Sequence, residues 1–467
     1  MPLVTPSRRR LLQLAGASAF APGLVGMKQA DVIGRVLAVS DMHSAYERTA
    51  QLLAAFETEV RSNPVPHVIA IDGDIFEHGN VVAVRSGGAV DWAFLRALPA
   101  IAPTVFNLGN HDNDLTPDLA EVVDRMKGLG IHVVSTIGDT RTGAGYAEPS
   151  TTLPFGRRSL RVVGMATNSL TTYPKASREQ LAIPAAADWA RANLTDNLAG
   201  ADLVMVMSHA GVAADRDILP LLPDGGLMVG GHNHLLFQHR QGHSAYVHTG
   251  SWTAAYTVAE FLSDGSVMAR SLPIALNAPA SPALADLIAD TLAANLTEEE
   301  RVILGTSPRA LSLGDTGRSV AAGLAKVAGA DAGFIGHTTL GTGVPAGPVS
   351  RYVFDSIVRF DGKLMLASVP RAQFDSFMAH ANQDRPMPLA DRSGDFLYAS
   401  TIASTVDPVR IVTTDWCATN QREYFGTTDL RFVEAAGLTV KTASAAGLLT
   451  PWARHARLGP DGWQDGG

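Results

Sequence analysis

The sequence predicts an α/β fold in which a layered first domain is followed by a second, α+β domain. Short apolar runs that end in polar clusters recur through the first 250 residues, as expected of strands buried on both faces. Helix-like segments lie between some of these runs, for example over 45–61 and 117–129, and this alternation is typical of α/β layers. Prolines 273, 279 and 282 then mark a boundary.

The predicted domains follow from that boundary. The first covers residues 31–272, and the second, which is rich in Gly and Thr with mixed strand and helix signals, covers residues 301–467. Between them, residues 273–300 form a linker. Ser281-Pro282 has the form of an N-cap followed by proline in the first helical position, so a helix is expected over 283–296.

The composition favours a small-molecule partner over a nucleic-acid polymer. The chain has 467 residues and a net charge of −8, with no basic run after residue 10, whereas polymer binding depends on phosphate neutralisation by Lys and Arg. A small phosphate ester remains open, because a bound metal can supply the positive charge. With one cysteine, Cys417, neither an intrachain disulfide nor a thiolate metal site is expected.

The N-terminus resembles a twin-arginine export signal. Arg8-Arg9-Arg10 precedes a modest apolar stretch over 11–20 with small-residue cleavage sites. We therefore expect residues 1–30 to be a signal read by the twin-arginine export machinery, which would place the protein in the periplasm or outside the cell. The stretch is too short to span a bilayer, and no later segment reaches about 18 uninterrupted apolar residues, so no membrane span is expected in the mature chain.

Five apolar runs end in metal-ligand residue types. In chain order, the polar groups that follow them are Asp41-Met42-His43, Asp72-Gly73-Asp74, Gly109-Asn110-His111-Asp112, Ser208-His209 and Gly230-Gly231-His232-Asn233-His234. Groups placed just beyond strand ends can converge in one crevice. Oxygen and nitrogen ligands of this kind suit Mn, Fe, Zn or similar divalent ions. Two such ions need a bridging carboxylate and further ligands on each side, and the set has that number and type.

These blocks resemble the ordered motifs of the calcineurin-like metallophosphoesterase family, D-x-H, G-D, G-N-H-[DE], H and G-H-x-H. The resemblance implies a calcineurin-like layered β-sandwich flanked by helices, with two divalent ions. By position, Asp41, His43 and His234 would hold the first ion, and Asn110, His209 and His232 the second, with Asp74 bridging them. His111 would be the catalytic acid, oriented by Asp112, and Asn110 would also contact the substrate.

The implied reaction is hydrolysis of a small phosphate ester by a hydroxide that bridges the two metals. His111 would protonate the leaving oxygen, a task suited to an imidazolium held by a carboxylate. The ester could be nucleotide-like or another phosphomonoester or diester. The intact pair of His111 and Asp112 favours an enzyme, because binding alone requires no proton donor.

The second domain resembles the C-terminal domain of the 5′-nucleotidase branch over most of 301–375. That branch recognises its substrate with an Arg in a G-G-I-R block and an aromatic in a G-G-D-G-[FY] block. The corresponding stretches here end in Gly341 and contain Leu430-Arg431, so both groups are missing and nucleotide recognition is not expected to be strong. His337, beside the first block, is a candidate substrate-binding residue.

Two alternatives remain open on the same residues. One is a hydrolase of a different ester, such as a sulfur-bearing group, on the same centre. The other is a protein that binds metal or ligand without turnover.

Overall fold

The structure is a computed structural model that describes residues 30–400 and 406–450, together with 456–457 and 464–465. The predicted export signal therefore lies, but for Ala30, outside the described residues. Over the described part of the chain, no helix combines the length and apolar character needed to cross a membrane.

The N-terminal part, residues 30–273, is built from strands with helices between them. Its strands are β1 (Val32–Val39), β2 (His67–Asp72), β3 (Thr104–Asn107), β4 (His132–Val134), β5 (Gly138–Asp139), β6 (Ser150–Phe155), β7 (Arg158–Ala166), β8 (Leu181–Ala182), β9 (Leu203–His209), β10 (Leu227–Gly230), β11 (Leu236–Gln241), β12 (Ser244–Thr249), β13 (Ala255–Leu262) and β14 (Val267–Pro273). Its helices are α1 (Tyr46–Ser62), α2 (Val81–Ser86), α3 (Ala89–Ala97), α4 (Leu119–Gly128), α5 (Ala186–Leu198) and α6 (Val212–Ile218).

Two six-stranded sheets form the centre of this part. Their strand orders are β14-β13-β1-β2-β3-β4 and β11-β12-β10-β9-β7-β6. The apolar side chains between them are fully or almost fully buried, including Val36, Val68, Met205 and Val229. Helices α1, α3 and α4 cover the outer face of the first sheet, whereas α5 and α6 cover that of the second. The predicted layered sandwich flanked by helices is confirmed.

A helix links the two parts of the chain. It is α7 (Pro282–Asn295), close to the predicted span, and the short α8 (Glu298–Arg301) follows it. Helix α7 packs on α1, α2 and α3 of the N-terminal part, so the link is part of the folded body.

The C-terminal part, from residue 303 onward, is an α+β unit. Its strands are β15 (Ile303–Ser307), β16 (Ala332–Gly336), β17 (Gly347–Ser350), β18 (Lys363–Val369), β19 (Leu397–Ala399), β20 (Val409–Thr414), β21 (Val433–Thr439), β22 (Ala456–Arg457) and β23 (Gln464–Asp465). Its helices are α9 (Leu313–Ala328), α10 (Arg351–Ile357), α11 (Arg371–His380), α12 (Asp415–Thr419), α13 (Gln421–Phe425) and α14 (Val440–Leu448).

A five-stranded sheet, in the order β19-β16-β20-β18-β21, organises this second unit. Helices α9 and α14 pack on one face and α11, α12 and α13 on the other. The apolar cluster on the first of these faces also contains Leu235 and Phe237 of the N-terminal part, with Leu340 and Phe396 of the C-terminal part. One apolar core therefore runs through both parts.

Candidate metal centre

The carboxyl ends of parallel strands bring the predicted ligands to one edge of the sandwich. Strands β1, β2 and β3 run parallel in the first sheet, and β9 and β10 run parallel in the second. Asp41, Asp74 and Asn110 follow the first three strands, His209 ends β9, and the segment 231–234 follows β10. Since the two sheets are stacked, the ends of both face the same space.

The backbone at these positions is unusual. Among the described residues, positive φ values occur at five of the predicted ligands, namely Asp41 (52°), His43 (49°), Asp74 (56°), His232 (74°) and His234 (56°). Residues other than glycine rarely adopt this left-handed conformation, which persists where surrounding structure enforces it and tends to cluster at functional sites.

Two glycines let the loops approach each other closely. A Cβ on Gly109 would lie 2.3 Å from Asp74 Oδ1 and 2.9 Å from His209 Nε2. A Cβ on Gly231 would lie 2.7 Å from His209 Nδ1. Both motifs therefore require glycine for space.

Asp41, His43 and His234 form the first group. One ligand atom from each lies within 4.8 Å of the others. The Nε2 atoms of His43 and His234 are 2.9 Å apart, and Asp41 Oδ1 is 3.7 Å from His234 Nε2. Asp41 Oδ2 is buried without a hydrogen-bond partner. Two imidazole nitrogens at this distance need a proton or a cation between them.

Asp74, His209 and His232 form a second such group. His209 Nδ1 donates to the carbonyl oxygen of Asp72 at 2.6 Å, which directs Nε2 into the site. Asn110 joins this group because its Oδ1 lies 2.8 Å from His232 Nδ1.

Asp74 belongs to the second group and also faces the first. Its Oδ2 is 3.1 Å from His209 Nε2 and 3.8 Å from His43 Nε2, so one carboxylate faces a histidine of each group. Its Oδ1 accepts a hydrogen bond from the backbone N–H of His111 at 2.7 Å. The carboxylate is thus held in place while Oδ2 remains directed at both sets of nitrogens.

The donor set fits two divalent ions. Ligand atoms about 2.1 Å from an ion are separated by roughly 3.0–3.4 Å from one another, close to the spacings above. Burial, and then the positive charge of Arg359, lowers the pKa of His43 to about 4. Burial, and then the charge of His209, lowers the pKa of His232 to about 3. Both rings are therefore neutral near pH 7, the form in which imidazole binds metal.

His209 shows that the site also favours positive charge. Burial alone would lower its pKa, but the carboxylates of Asp74, Asp41 and Asp72 outweigh that effect and hold the pKa well above its usual value. A cation at this position would take the place of the proton.

The predicted partner of the candidate acid His111 is corrected by the structure. His111 Nδ1 lies 2.9 Å from Asp114 Oδ2, and 23% of the His111 side chain is exposed. Asp112 instead accepts backbone hydrogen bonds from Ile75 at 3.0 Å and Gly109 at 2.6 Å. Because its two oxygens are used in this way, Asp112 holds the loops together and does not orient His111.

The role predicted for His337 is also corrected. Its side chain is buried, with Nε2 2.7 Å from the carbonyl oxygen of Asn233 and Nδ1 3.2 Å from the backbone nitrogen of Phe396. Both ring nitrogens are therefore engaged with backbone, so neither is free to bind a substrate. His337 belongs to the C-terminal part, and it contacts Asn233, the residue between His232 and His234.

Four residues of the site, Glu77, Asp114, Trp252 and Arg359, lie outside the predicted ligand blocks. Trp252 stacks on His43 with ring centroids 4.7 Å apart, and Arg359, from the C-terminal part, lies over the Trp252 ring. Glu77 and Asp114 each follow a predicted block by a few positions, which was the available signal.

Comparison with known proteins supports the fold and the family. Residues 34–236 match the model of the family described as calcineurin-like phosphoesterase. A search of curated proteins finds no match.

Three solved structures share the fold across both parts. A 5′-nucleotidase precursor from Thermus thermophilus has 16% identity and a TM-score of 0.58, covering 88% of this chain and 95% of its own. The sulfate thiohydrolase SoxB from Thermus thermophilus has 14% identity and a TM-score of 0.58, covering 92% and 95%. A 5′-nucleotidase from Candida albicans has 11% identity and a TM-score of 0.58, covering 89% and 97%.

The chain is therefore a two-part protein with a phosphoesterase-type sandwich. Its N-terminal part is similar to the calcineurin-like phosphoesterase family over residues 34–236, and both parts share the fold of these solved structures.

Proposed function

We propose that this protein hydrolyses a small phosphate ester at a centre of two divalent ions. The first ion would be held by Asp41, His43 and His234, and the second by Asn110, His209 and His232, with Asp74 between them. The observation that carries the proposal is the pair of three-residue groups, in which Asp74 belongs to the second group and also faces His43 of the first. The ions would activate the attacking water and neutralise charge on the phosphate oxygens; Mn, Zn and Fe suit these ligands.

The chain's own contribution to the reaction is positioning and proton transfer. Asp114 engages Nδ1 of His111, so Nε2 is the nitrogen left to give a proton to the leaving oxygen. Burial alone would lower the pKa of His111, but the carboxylates of Asp114 and Asp74 outweigh it and raise that pKa to about 10. Asn110 lies beside His111 and would also contact the phosphate.

The acid role is tested with esters of different leaving groups. Replacing His111 with Asn should reduce kcat/KM for an alkyl phosphate on the order of 10²–10⁴-fold, since general acid catalysis contributes that much. The loss should be much smaller for a nitrophenyl ester, whose leaving group departs unaided, and both ions should be retained on elemental analysis. An equal loss for both esters would eliminate this role.

The substrate is expected to be a simple ester in which a nucleobase is not required. A side chain at Gly341 would lie 2.5 Å from Trp252 Cε2, so this position cannot carry the arginine of the nucleotidase branch. Leu430 is 8% exposed and packs with Phe425, so it offers no face for stacking. We expect no strong preference for AMP.

The comparison is kcat/KM for AMP, a sugar phosphate, a bis-nitrophenyl diester and a sulfate ester under one metal condition. A preference for AMP above roughly a hundredfold would contradict the expectation. Activity on the sulfate ester alone would show that the substrate is a sulfur-bearing ester and not a phosphate ester. No turnover of any ester, with both ions bound, would favour a binding protein.

We also propose export to the periplasm or the exterior through the twin-arginine route, on the basis of Arg8-Arg9-Arg10. Replacing these three arginines with Lys should leave a full-length precursor in the cytoplasm. Normal export of that variant would show that the signal is of another type.

A further inference from the structure

Glu77 is a buried carboxylate that contacts a predicted ligand without belonging to either ligand group. Its Oε2 lies 3.3 Å from Nδ1 of His43. Its Oε1 accepts a hydrogen bond from the backbone nitrogen of Gly79 at 2.8 Å, which fixes the carboxylate. Since Nδ1 of His43 faces Glu77, Nε2 is the nitrogen that faces His234 and the first metal position.

Arg359 reaches Glu77 from the C-terminal part. The two side chains form an ion pair and are only 6% and 7% exposed. Arg359 Nη1 also donates to the carbonyl oxygen of Thr338 at 3.2 Å. Burying a carboxylate without a partner costs free energy. A guanidinium held in this way is a partner whose N–H groups point in a defined direction.

Trp252 provides a second path from Arg359 to the same histidine. The guanidinium carbon lies 4.5 Å from the centroid of the Trp252 ring. That ring stacks on His43 with an interplanar angle of 24°. The Trp252 backbone nitrogen donates to the carbonyl oxygen of Asp41 at 2.9 Å. Arg359 therefore packs on Trp252, which contacts two ligands of the first group: His43 through its ring and Asp41 through its backbone.

We propose that Glu77 and Arg359 are a positioning pair that holds His43 with Nε2 toward the first metal. A carboxylate on the outer nitrogen of a ligating histidine fixes the ring and its tautomer, and loss of such a partner costs about 10–100-fold in metal affinity. The inference rests on the proposed function, because it takes His43 as a ligand. It makes retention of the first ion depend on a residue of the C-terminal part.

An ion pair that merely joins the two parts of the chain would look similar, so a matched control is needed. Arg85 and Glu300 form a two-bonded ion pair at 2.7 and 2.8 Å between α2 and α8, and neither contacts a predicted ligand. Arg85→Gln breaks an ion pair without disturbing His43. It should lower stability slightly and leave metal affinity unchanged.

The experiment measures Co²⁺ binding to the full chain by calorimetry and visible absorption. The variants are Glu77→Gln, Arg359→Met, their combination, and Arg85→Gln. Wild type should bind two ions. Glu77→Gln should weaken one of them about tenfold or more, with a changed absorption band, and leave the other within about threefold. Arg359→Met should weaken the same ion, and the double variant should lose less affinity than the two single losses multiplied together, because the two residues act as one pair.

Contrary outcomes separate the pair from the proposed function. Wild type that binds fewer than two ions would overturn the proposed function and this inference with it. Two ions in wild type, with unchanged affinity in Glu77→Gln, would overturn the positioning pair alone. Additive losses in the double variant would also overturn it, since the two residues would then act separately. If Arg359→Met fails to fold, Arg359→Lys, which keeps the charge but not the fork, should show an intermediate loss of the same ion.

Discussion

At the scale of single residues, Asp112 and Asp114 differ in the hydrogen-bond donors that their carboxylates bind. Asp114 engages the imidazole of His111 and the backbone N–H of His78, whereas Asp112 binds two backbone N–H groups from different loops. Burial, and then repulsion from Asp74, raises the pKa of Asp112 to about 7. The two carboxylates are close in sequence and different in task, so substitution of each should have a distinct result.

Asp114→Asn should impair catalysis, and Asp112→Asn should impair stability. Without Asp114 the His111 ring loses the carboxylate that orients it and favours its protonated form, so kcat/KM for an alkyl phosphate should fall about tenfold or more while the melting temperature changes little. In Asp112→Asn, the new amide would turn an N–H toward a backbone N–H, which costs about 1–3 kcal/mol in the free energy of unfolding. Steady-state kinetics and urea denaturation of both variants check this. The reverse pattern would restore Asp112 as the partner of His111.

At the scale of elements, the ligands depend on loops that cross within a few ångströms of each other at the strand ends. The left-handed residues and the close glycines are two aspects of the same crowding. A small change in one loop should therefore displace ligands supplied by another.

Gly109→Ala tests this crowding. The new methyl group would meet Asp74 Oδ1 at 2.3 Å and His209 Nε2 at 2.9 Å, so the variant should lose most bound metal on elemental analysis. Gly128→Ala is the matched control, because it lies at the end of α4 and its Cβ would meet no atom within 4 Å. It should keep both ions and gain up to about 1 kcal/mol in stability. Equal metal content in the two variants would mean that the loops tolerate displacement.

The sequence predicts the strands that precede the ligands well, because the pattern that marks them is local. Each apolar run ends in a residue type that binds metal, and these runs are the strands β1, β2, β3, β9 and β10. The choice between Asp112 and Asp114 depends on the path of one loop, which residue types do not specify. Arg359 is 282 positions from Glu77, and such a contact depends on how the two parts of the chain dock.

At the scale of the whole molecule, a buried acid away from the metal centre makes stability depend on pH. Asp91 on α3 is 3% exposed and accepts a hydrogen bond from the Tyr46 hydroxyl at 2.7 Å. Burial raises its pKa from 3.8 to about 7, against the lowering effect of that hydrogen bond. The folded state therefore binds a proton that the unfolded state has released between these two values.

Asp91→Asn should remove this dependence. Because the folded state binds the extra proton, this contribution to stability is present at low pH and is lost as pH rises toward and through about 7. The variant cannot ionise at this position and still offers an oxygen to Tyr46. Urea denaturation at about pH 5 and about pH 8, on either side of most of this window, should show wild type losing stability relative to Asp91→Asn at the higher pH. The same difference between the two proteins at both values would contradict the prediction.

The apolar core shared by both parts has a consequence for work with fragments. Leu235 and Phe237 are covered in the same cluster as Leu340 and Phe396, and Arg392 lies over Phe237 at 4.4 Å. A fragment that stops before the C-terminal part would expose this apolar surface to solvent. It would also lack Arg359, the ion-pair partner of Glu77 beside His43. Such exposed apolar surfaces favour aggregation. If the C-terminal part were replaced by that of a relative, the apolar contact between the two parts would need to be redesigned as well as the substrate contacts.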